Sequence, residues 1–584
     1  MLNRRSFSRV LLVLGIGIFF LCLMVGLSSV FGATRPVVGG VDYMVTSGHP
    51  LSTLAGVKIL MQGGNAIDAG TAIHAALNMV EPTMSGLGGD AQIHIYNAKE
   101  KKLTTFNACG WAPRKATADF YISQGGMQGR GALSVQMPGA FAGWIMALNR
   151  YGTKTLGEVL QPAIEIGERG HPVSVALAGN LSPQNTIDLF KKYPSTTKIW
   201  WRDGKPLKAG EIVFQRDLAT TFRKLTAAEQ ANLTKGRSAG LRAAHEFFYK
   251  GEIAKGIVDF LKPYGGLFEV DDFADFEAEE LPPIMINYKG YEVYQVPPLS
   301  QGHVLLEALN VLEGYDLKAM GQNSTDYLHV VAEALKLGFA DREAYLADPR
   351  FVQTPIKGML SKEYARAQRA RIDMNKAMQW PIPPGKAEQF GNTTFFAVVD
   401  KDRNVYACTT SICAPWGSGM VVDGYGFFLN NRMIYFYLNP GHPDELKPRK
   451  RALQTINPAI AMKDGKPFMA WGTPGGDQQP QSMTQVFLNF VEFGMTIQDA
   501  IESPKIGTMA FPRSDFPHTA TNELLVENRI PAKVIDGLKA KGHNVRVVGE
   551  WDIGGNNQAI VIDPASGALL AGADPRREGY AIGW

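Results

Sequence analysis

A proline-rich break, Trp380-Pro381-Ile382-Pro383-Pro384-Gly385, divides the chain into two stretches of unlike texture. Prolines remove backbone donors and favour extended chain, so the break is a loop. Before it the pattern is mostly helical. Ser52–Met61 and Asn65–Val80 read as helices, the second opened by Gly63-Gly64-Asn65-Ala66-Ile67-Asp68-Ala69 with Asn65 as N-cap. Gln92–Tyr96 and Lys102–Phe106 read as short strands with a Lys-rich hairpin between them. Residues 139–270 read as mainly helical, Glu292–Val296 as a strand, and Val304–Leu312 and Thr325–Asp348 as helices. After the break come apolar runs at Thr394–Val399, Val405–Ile412, Phe427–Met433, Ala459–Met462 and Pro467–Trp471, with hairpin turns at Lys401-Asp402-Arg403-Asn404 and Asp464-Gly465. A helix at Gln478–Phe493 follows, and strands near Val545–Val548 and Ala559–Ile562 close the chain. Apolar strands inside and helices outside predict stacked sheets flanked by helices.

The first 32 residues stand apart. Asn3-Arg4-Arg5-Ser6-Phe7-Ser8-Arg9 precedes an apolar run from Val10 to Val30, with small residues near Gly32. This is the pattern of a signal peptide, and paired arginines followed by Phe7 suit twin-arginine export. The run is also long enough for an uncleaved membrane anchor. Either way an exported chain is expected, facing the periplasm. Three arginines and no acid fall in this segment, so the formal net charge of +4 leaves a nearly neutral body. Such a body offers no electrostatic footprint for nucleic acid.

Beyond Cys22, the cysteines Cys109, Cys408 and Cys413 are too scattered for a disulfide framework or a metal knuckle. The ten histidines show no ligand spacing, and no HExxH, GxSxG or Walker motif is present. Gly86-Leu87-Gly88-Gly89-Asp90 has the look of a dinucleotide loop but precedes a strand instead of opening a helix. No cofactor or metal is implied.

The remaining chemistry lies at Gly391-Asn392-Thr393-Thr394-Phe395-Phe396-Ala397-Val398-Val399-Asp400, where the loop delivers a threonine to the mouth of a buried strand. The segment resembles the processing site of gamma-glutamyltransferases. Glu81-Pro82 with Gly86–Asp90, Pro138-Gly139, Pro297-Pro298-Leu299-Ser300, Asp341-Arg342, Asp348-Pro349, Asn430-Asn431, Pro474-Gly475-Gly476 and Asp574-Pro575-Arg576 fall in that family's order, across roughly residues 40–584.

The resemblance implies an α+β fold, the four-layer αββα sandwich of N-terminal-nucleophile hydrolases. It implies one structural domain built from two chains after self-cleavage between Asn392 and Thr393. The large subunit would run over 33–392 and the small subunit over 393–584, together forming a heterodimer. Thr393 would be the nucleophile and its freed α-amino group the base, near pH 8 when unperturbed. Thr394 and Ser411 match supporting hydroxyls, and Gly475 and Gly476 match oxyanion donors. The substrate would be a small amide or peptide, γ-glutamyl (as in glutathione) or related, its acyl group passing to water or an amine.

The substrate clamp departs from the family. Cys109 stands where an arginine is expected and Cys413 where an asparagine is. Asn431 is followed by Arg432-Met433-Ile434-Tyr435, and Gln454-Thr455 replaces paired serines. Losing the partner of a substrate ammonium costs at least about 2 kcal/mol. Another small acyl amide, of the oxamate or cephalosporin-acylase kind, is therefore the alternative substrate, with Arg432 and Tyr435 among the candidate binding residues. Arg432 is expected to meet a planar carboxylate or amide, or else to form a surface ion pair. A non-catalytic envelope ligand-binding homologue is the remaining alternative. The basic run Lys447, Arg449, Lys450, Arg451 reads as a solvated loop.

Overall fold

The computed structural model describes residues 33–384 and 394–584. The expected signal segment, Asn392 and Thr393 lie outside the described residues. Fourteen strands make two antiparallel seven-stranded sheets. They are β1 (Val38–Gly40), β2 (Met44–Ser47), β3 (Asp90–Asn97), β4 (Lys102–Ala108), β5 (Glu279–Leu281), β6 (Ile284–Tyr288), β7 (Tyr291–Gln295), β8 (Thr394–Val399), β9 (Val405–Ser411), β10 (Ala459–Lys463), β11 (Lys466–Gly472), β12 (Gln558–Ile562), β13 (Leu569–Ala573) and β14 (Tyr580–Gly583). The first sheet runs β1-β13-β12-β11-β10-β7-β6 and the second β14-β2-β8-β9-β3-β4-β5.

Why these apolar runs form strands is visible in β8, which is buried at all six positions. Side chains alternate across a strand. Phe395, Ala397 and Val399 enter a core shared with Ile460, Ala470, Ile560 and Ala571 of the first sheet. Phe396 and Val398 face the opposite way, into a core with the helices α1 (Pro50–Met61), α2 (Ala66–Val80), α3 (Ala140–Tyr151), α4 (Leu156–Arg169) and α5 (Arg216–Gln230). The outer face of the first sheet packs on α6 (Gly302–Leu312), α7 (Thr325–Tyr345), α8 (Gln478–Val491) and α9 (Ile497–Glu502). The result is the four-layer αββα sandwich. A strand apolar on both faces is one buried on both faces. Each large apolar side chain so buried contributes roughly 1.5–3 kcal/mol.

Helix α2 begins as its sequence specifies. The Asn65 side chain accepts from the N–H groups of Ile67 and Asp68, and the Asp68 carboxylate takes the Asn65 N–H at 3.0 Å. The Ala66 N–H bonds Asp400 Oδ2 at 2.9 Å, tying the helix start to the β8–β9 turn.

Three expectations need correction. Residues 427–433 are not a strand. Phe428 and Leu429 make only isolated bridges, and Arg432–Tyr435 is a 3-10 turn. The pair at Val545 and Ala559 does not close the chain, because β13 and β14 follow. The basic run is not wholly solvated. Lys450 and Arg451 are buried, Lys450 donating to the Glu445 carbonyl at 3.0 Å and Arg451 to both Glu279 oxygens at 2.8 Å.

Candidate active site

The strands β8 and β9 pair with Thr394 opposite Thr410, and Ser411 pairs with Asp90 of β3. The buried Thr394 hydroxyl donates to Glu81 Oε2 at 3.0 Å. Glu81 caps the C-terminus of α2 and is partly buried. Burial pushes its carboxyl up to about 7, against the Arg577 charge and the Thr394 hydrogen bond. Ser411 Oγ accepts the Cys413 N–H at 2.8 Å, and Cys413 holds φ at 80°.

Between β11 and α8 the chain turns through Gly475 and Gly476, at φ 130° and 60°. These angles favour glycine. The Gly475 and Gly476 carbonyls accept from Gln478 and Gln479 N–H, each at 3.0 Å, and so point into the helix start. Neither glycine N–H bonds another described residue. Two adjacent free N–H groups at a helix N-terminus are a ready site for negative charge. The turn lies across the sheet interface from the start of β8. A Cβ on Gly472, three residues before it, would stand 2.3 Å from the Phe395 ring. Gln558 Nε2 also donates to the Phe395 carbonyl at 3.2 Å.

A second cluster gathers the altered clamp residues. Arg432 has zero exposure, and its Nε stands 3.2 Å from Asp90 Oδ2, so it is no surface ion pair. Asp90 Oδ1 takes the Gly110 N–H at 2.8 Å. Burial pushes Asp90 up to about 6, against the pull of Arg432 and Gly110. The Arg432 guanidinium lies 5.2 Å from the Tyr435 ring centre. Burial pushes the Cys413 thiol up to about 11, against Arg432 and a Tyr435 hydrogen bond. The Cys109 thiol is raised by burial and by Asp90, and its sulfur accepts from Gln92 Nε2 at 3.3 Å. Burial thus disfavours the thiolate form at both cysteines. Gln454 and Thr455 are buried beside them, Gln454 Nε2 reaching Asp90 Oδ2 at 3.5 Å. Asn431 is bound on both sides of its amide, by the Ala414 N–H at 3.0 Å and to the Gly129 carbonyl at 2.9 Å. Those bonds fix the turn that presents Arg432.

Sequence reasoning gave no role to Glu81 or Asp90, although both stand inside motifs that it singled out. Their partners, Thr394 and Arg432, are distant in sequence. The histidines also needed the fold to meet. His329 Nδ1 lies 2.8 Å from His543 Nε2, with Glu333 near enough for a shared ion. The Glu333 carboxylate is taken up by the Lys336 ammonium at 2.7 Å and the Met378 N–H at 2.9 Å.

The family model for gamma-glutamyltranspeptidase matches residues 52–584. A glutathione hydrolase-like YwrD proenzyme from Bacillus subtilis is 36% identical over 549 residues, covering 93% of this chain and 99% of that protein. An acylase ACY 1 proenzyme from Pseudomonas sp. (strain SE83) is 35% identical over 564 residues, covering 94% and 95%. Among solved structures, a cephalosporin acylase from Bacillus halodurans superposes with a TM-score of 0.85 at 32% identity, covering 96% and 98%. The chain therefore belongs to the gamma-glutamyltranspeptidase family and is an enzyme of the N-terminal-nucleophile hydrolase type.

Proposed function

We propose that the protein is a self-processing amidohydrolase and acyltransferase that works through an ester on Thr393. The observation that carries this reading is the pair of free N–H groups at Gly475 and Gly476, opposite the start of β8. In the precursor the Thr393 hydroxyl adds to the Asn392 carbonyl, the C–N bond breaks, and water hydrolyses the ester. This leaves chains 33–392 and 393–584 and a free α-amino group on Thr393. In the mature enzyme that amine takes the hydroxyl proton as the oxygen adds to the substrate carbonyl. The proton then passes to the leaving amine as the amide bond breaks. Water or a second amine takes the acyl group from the ester. Donors such as Gly475 and Gly476 are worth about 10²–10³ in rate when aimed at the oxyanion. Thr394 and Ser411 support the nucleophile.

We infer further that the acyl group differs from a free γ-glutamyl group. The clamp cluster already contains its own counter-ion, since Asp90 occupies Arg432. A substrate carboxylate must compete with Asp90 for that guanidinium, and a substrate ammonium finds the neutral Cys413. An acyl donor without the amino-acid head, met by Arg432, Tyr435, Gln454, Thr455, Asn431, Cys109 and Cys413, fits this charge pattern. The names of the acylase relatives support the same reading. The basic, then apolar, first 32 residues support export to the periplasm, with or without a retained anchor. No helix among the described residues is long and apolar enough to cross a membrane.

Intact-mass spectrometry of purified protein tests the mechanism. Two fragments meeting at Asn392–Thr393 are expected from the wild type, and one uncut inactive chain from Thr393→Ala. A processed or active Thr393→Ala protein would overturn the assignment. Anilides of γ-glutamate and of carboxyacyl groups lacking the amine then test the substrate. A higher kcat/KM on the γ-glutamyl anilide would refute the altered clamp.

A further inference from the structure

The glycine turn is held from outside its own chain segment. Its Gly476 carbonyl accepts from Gln301 Nε2 at 3.0 Å, and the same amide nitrogen reaches the Thr455 carbonyl at 3.3 Å. Gln301 Oε1 accepts from Arg342 Nη1 at 2.7 Å. That nitrogen also stands 3.3 Å from Asp477 Oδ1, immediately after the glycines, and Ser514 Oγ donates to the same oxygen at 3.1 Å. The Arg342 guanidinium carbon lies 4.1 Å from the centre of the Phe339 ring and 4.9 Å from that of Phe511. Gln301 and Arg342 have no exposure. The Gln301 N–H also donates to the Gln454 carbonyl at 2.9 Å, in the clamp cluster.

We propose that Gln301 and Arg342 are positioning residues for acyl transfer, aiming the Gly475 and Gly476 N–H groups through the Gly476 carbonyl. This rests on the acyl-transfer reading above. A peptide unit is planar, so fixing the Gly476 carbonyl fixes the Asp477 N–H, and with the next peptide plane held the turn carrying the two free N–H groups is anchored at its helix end. Glycines at positive φ have no side chain to restrain them, and their orientation must come from neighbours. Gln301 is suited to this because one amide donates to two carbonyls while its oxygen is held by a cation. Arg342 is suited because its Nη1 meets the Gln301 amide oxygen and the Asp477 carboxylate together while its planar guanidinium stacks on two aromatic rings. Both residues precede Asn392, whereas the turn they hold follows Thr393. The part of the chain that lacks the nucleophile therefore sets the geometry of the group that stabilises the transition state. Gln301 joins the acyl pocket to the oxyanion turn, meeting the Gln454 carbonyl with its backbone N–H and the Thr455 and Gly476 carbonyls with its side chain, so acyl-group fit and donor geometry are mechanically linked.

The test is Gln301→Glu. Glutamate keeps the shape and the contact with Arg342 but cannot donate to the Gly476 carbonyl. With whichever anilide the wild-type enzyme turns over, Gln301→Glu is expected to be processed and to melt close to wild type. Its KM should change less than about threefold and its kcat fall at least about tenfold, as expected when a transition-state donor is misplaced. Arg342→Lys, which keeps the charge toward Asp477 and loses the planar group held between Phe339 and Phe511, should show a smaller fall in kcat with the same constant KM. A processed Gln301→Glu enzyme with kcat within twofold of wild type overturns the proposal. Should Gln301→Glu fail to fold, Arg342→Lys with wild-type kcat overturns it equally. If the wild type itself forms no two fragments and no acyl-enzyme, the acyl-transfer reading has failed and this inference falls with it. Wild-type turnover with an unimpaired Gln301→Glu variant sinks the inference alone.

Discussion

At the residue scale, the Asp90–Arg432 pair decides most. Both side chains have zero exposure, so each charge has given up water for the other and for the few donors around them. Removing one member of a buried pair strands the other, at a cost of about 3–5 kcal/mol, whereas replacing both can be close to neutral. Asp90→Asn and Arg432→Met should each lower the melting temperature strongly. The double variant should recover most of the loss, and a melting temperature no better than the worse single variant would show that the two charges are not coupled. Arg432 was legible in the sequence because it departs from the pattern of a resembling family. Asp90 was not, because it ends a glycine-rich motif whose glycines drew the interpretation. Nothing in one sequence tells that a strand-opening acid and a distant arginine share a site.

At the element scale, legibility followed burial. The runs at β8, β9, β10 and β11 lie between two apolar layers, so each carries several consecutive apolar residues and stands out. Edge strands do not. In β6, Met285 and Asn287 are exposed between partly and fully buried neighbours, leaving a weak signal. The run 427–433 failed for the opposite reason. Its apolar opening is buried, with Phe428 packing on Trp416, Trp200 and Phe190, and a short apolar run carries no mark that separates buried loop from strand. The glycine turn was legible as a turn, but its orientation was not, since Gln301 and Arg342 reach it only through the fold.

The arrangement of elements also predicts how the processed protein behaves. In the first sheet β10 to β13 are flanked by β7 on one side and β1 on the other. In the second, β8 and β9 sit between β2 and β3. Cleavage before Thr393 thus leaves small-subunit strands hydrogen-bonded on both sides to large-subunit strands. The two fragments should elute together in size-exclusion chromatography at neutral pH and part only in denaturant. Separate elution in native buffer would contradict this sheet order.

For the whole molecule, buried acids set the pH response. Burial raises Glu81 and Asp477 to about 7 and Glu343 to about 8, each above its usual range. Below the ordinary carboxylate pKa, folded and unfolded chains are both protonated and these groups are neutral to stability's slope. Between the unfolded and folded values the native state holds protons that the unfolded state has released, so stability falls as pH rises through that window. Histidines, buried and neutral, act the opposite way but only below about pH 6.5. Lys505, lowered by burial to about 7, opposes the acids above that value. With Asp444 also raised by burial to about 8, the acids outweigh Lys505 and predict a lower melting temperature at pH 8.5 than at pH 6.5, with Glu81→Gln reducing the difference. A melting temperature that rises over this interval would refute the balance.

The pairings β1 with β13 and β2 with β14 join residues 38–47 to residues 569–583. Contacts so far apart in sequence form late. On the ribosome, the strands made first must wait, with their edges unpaired, for almost the last to emerge. A message cut short just before β14 would leave β2 unmatched along one side, and the outcome would be a chain held by chaperones or proteases in place of a slightly shortened enzyme.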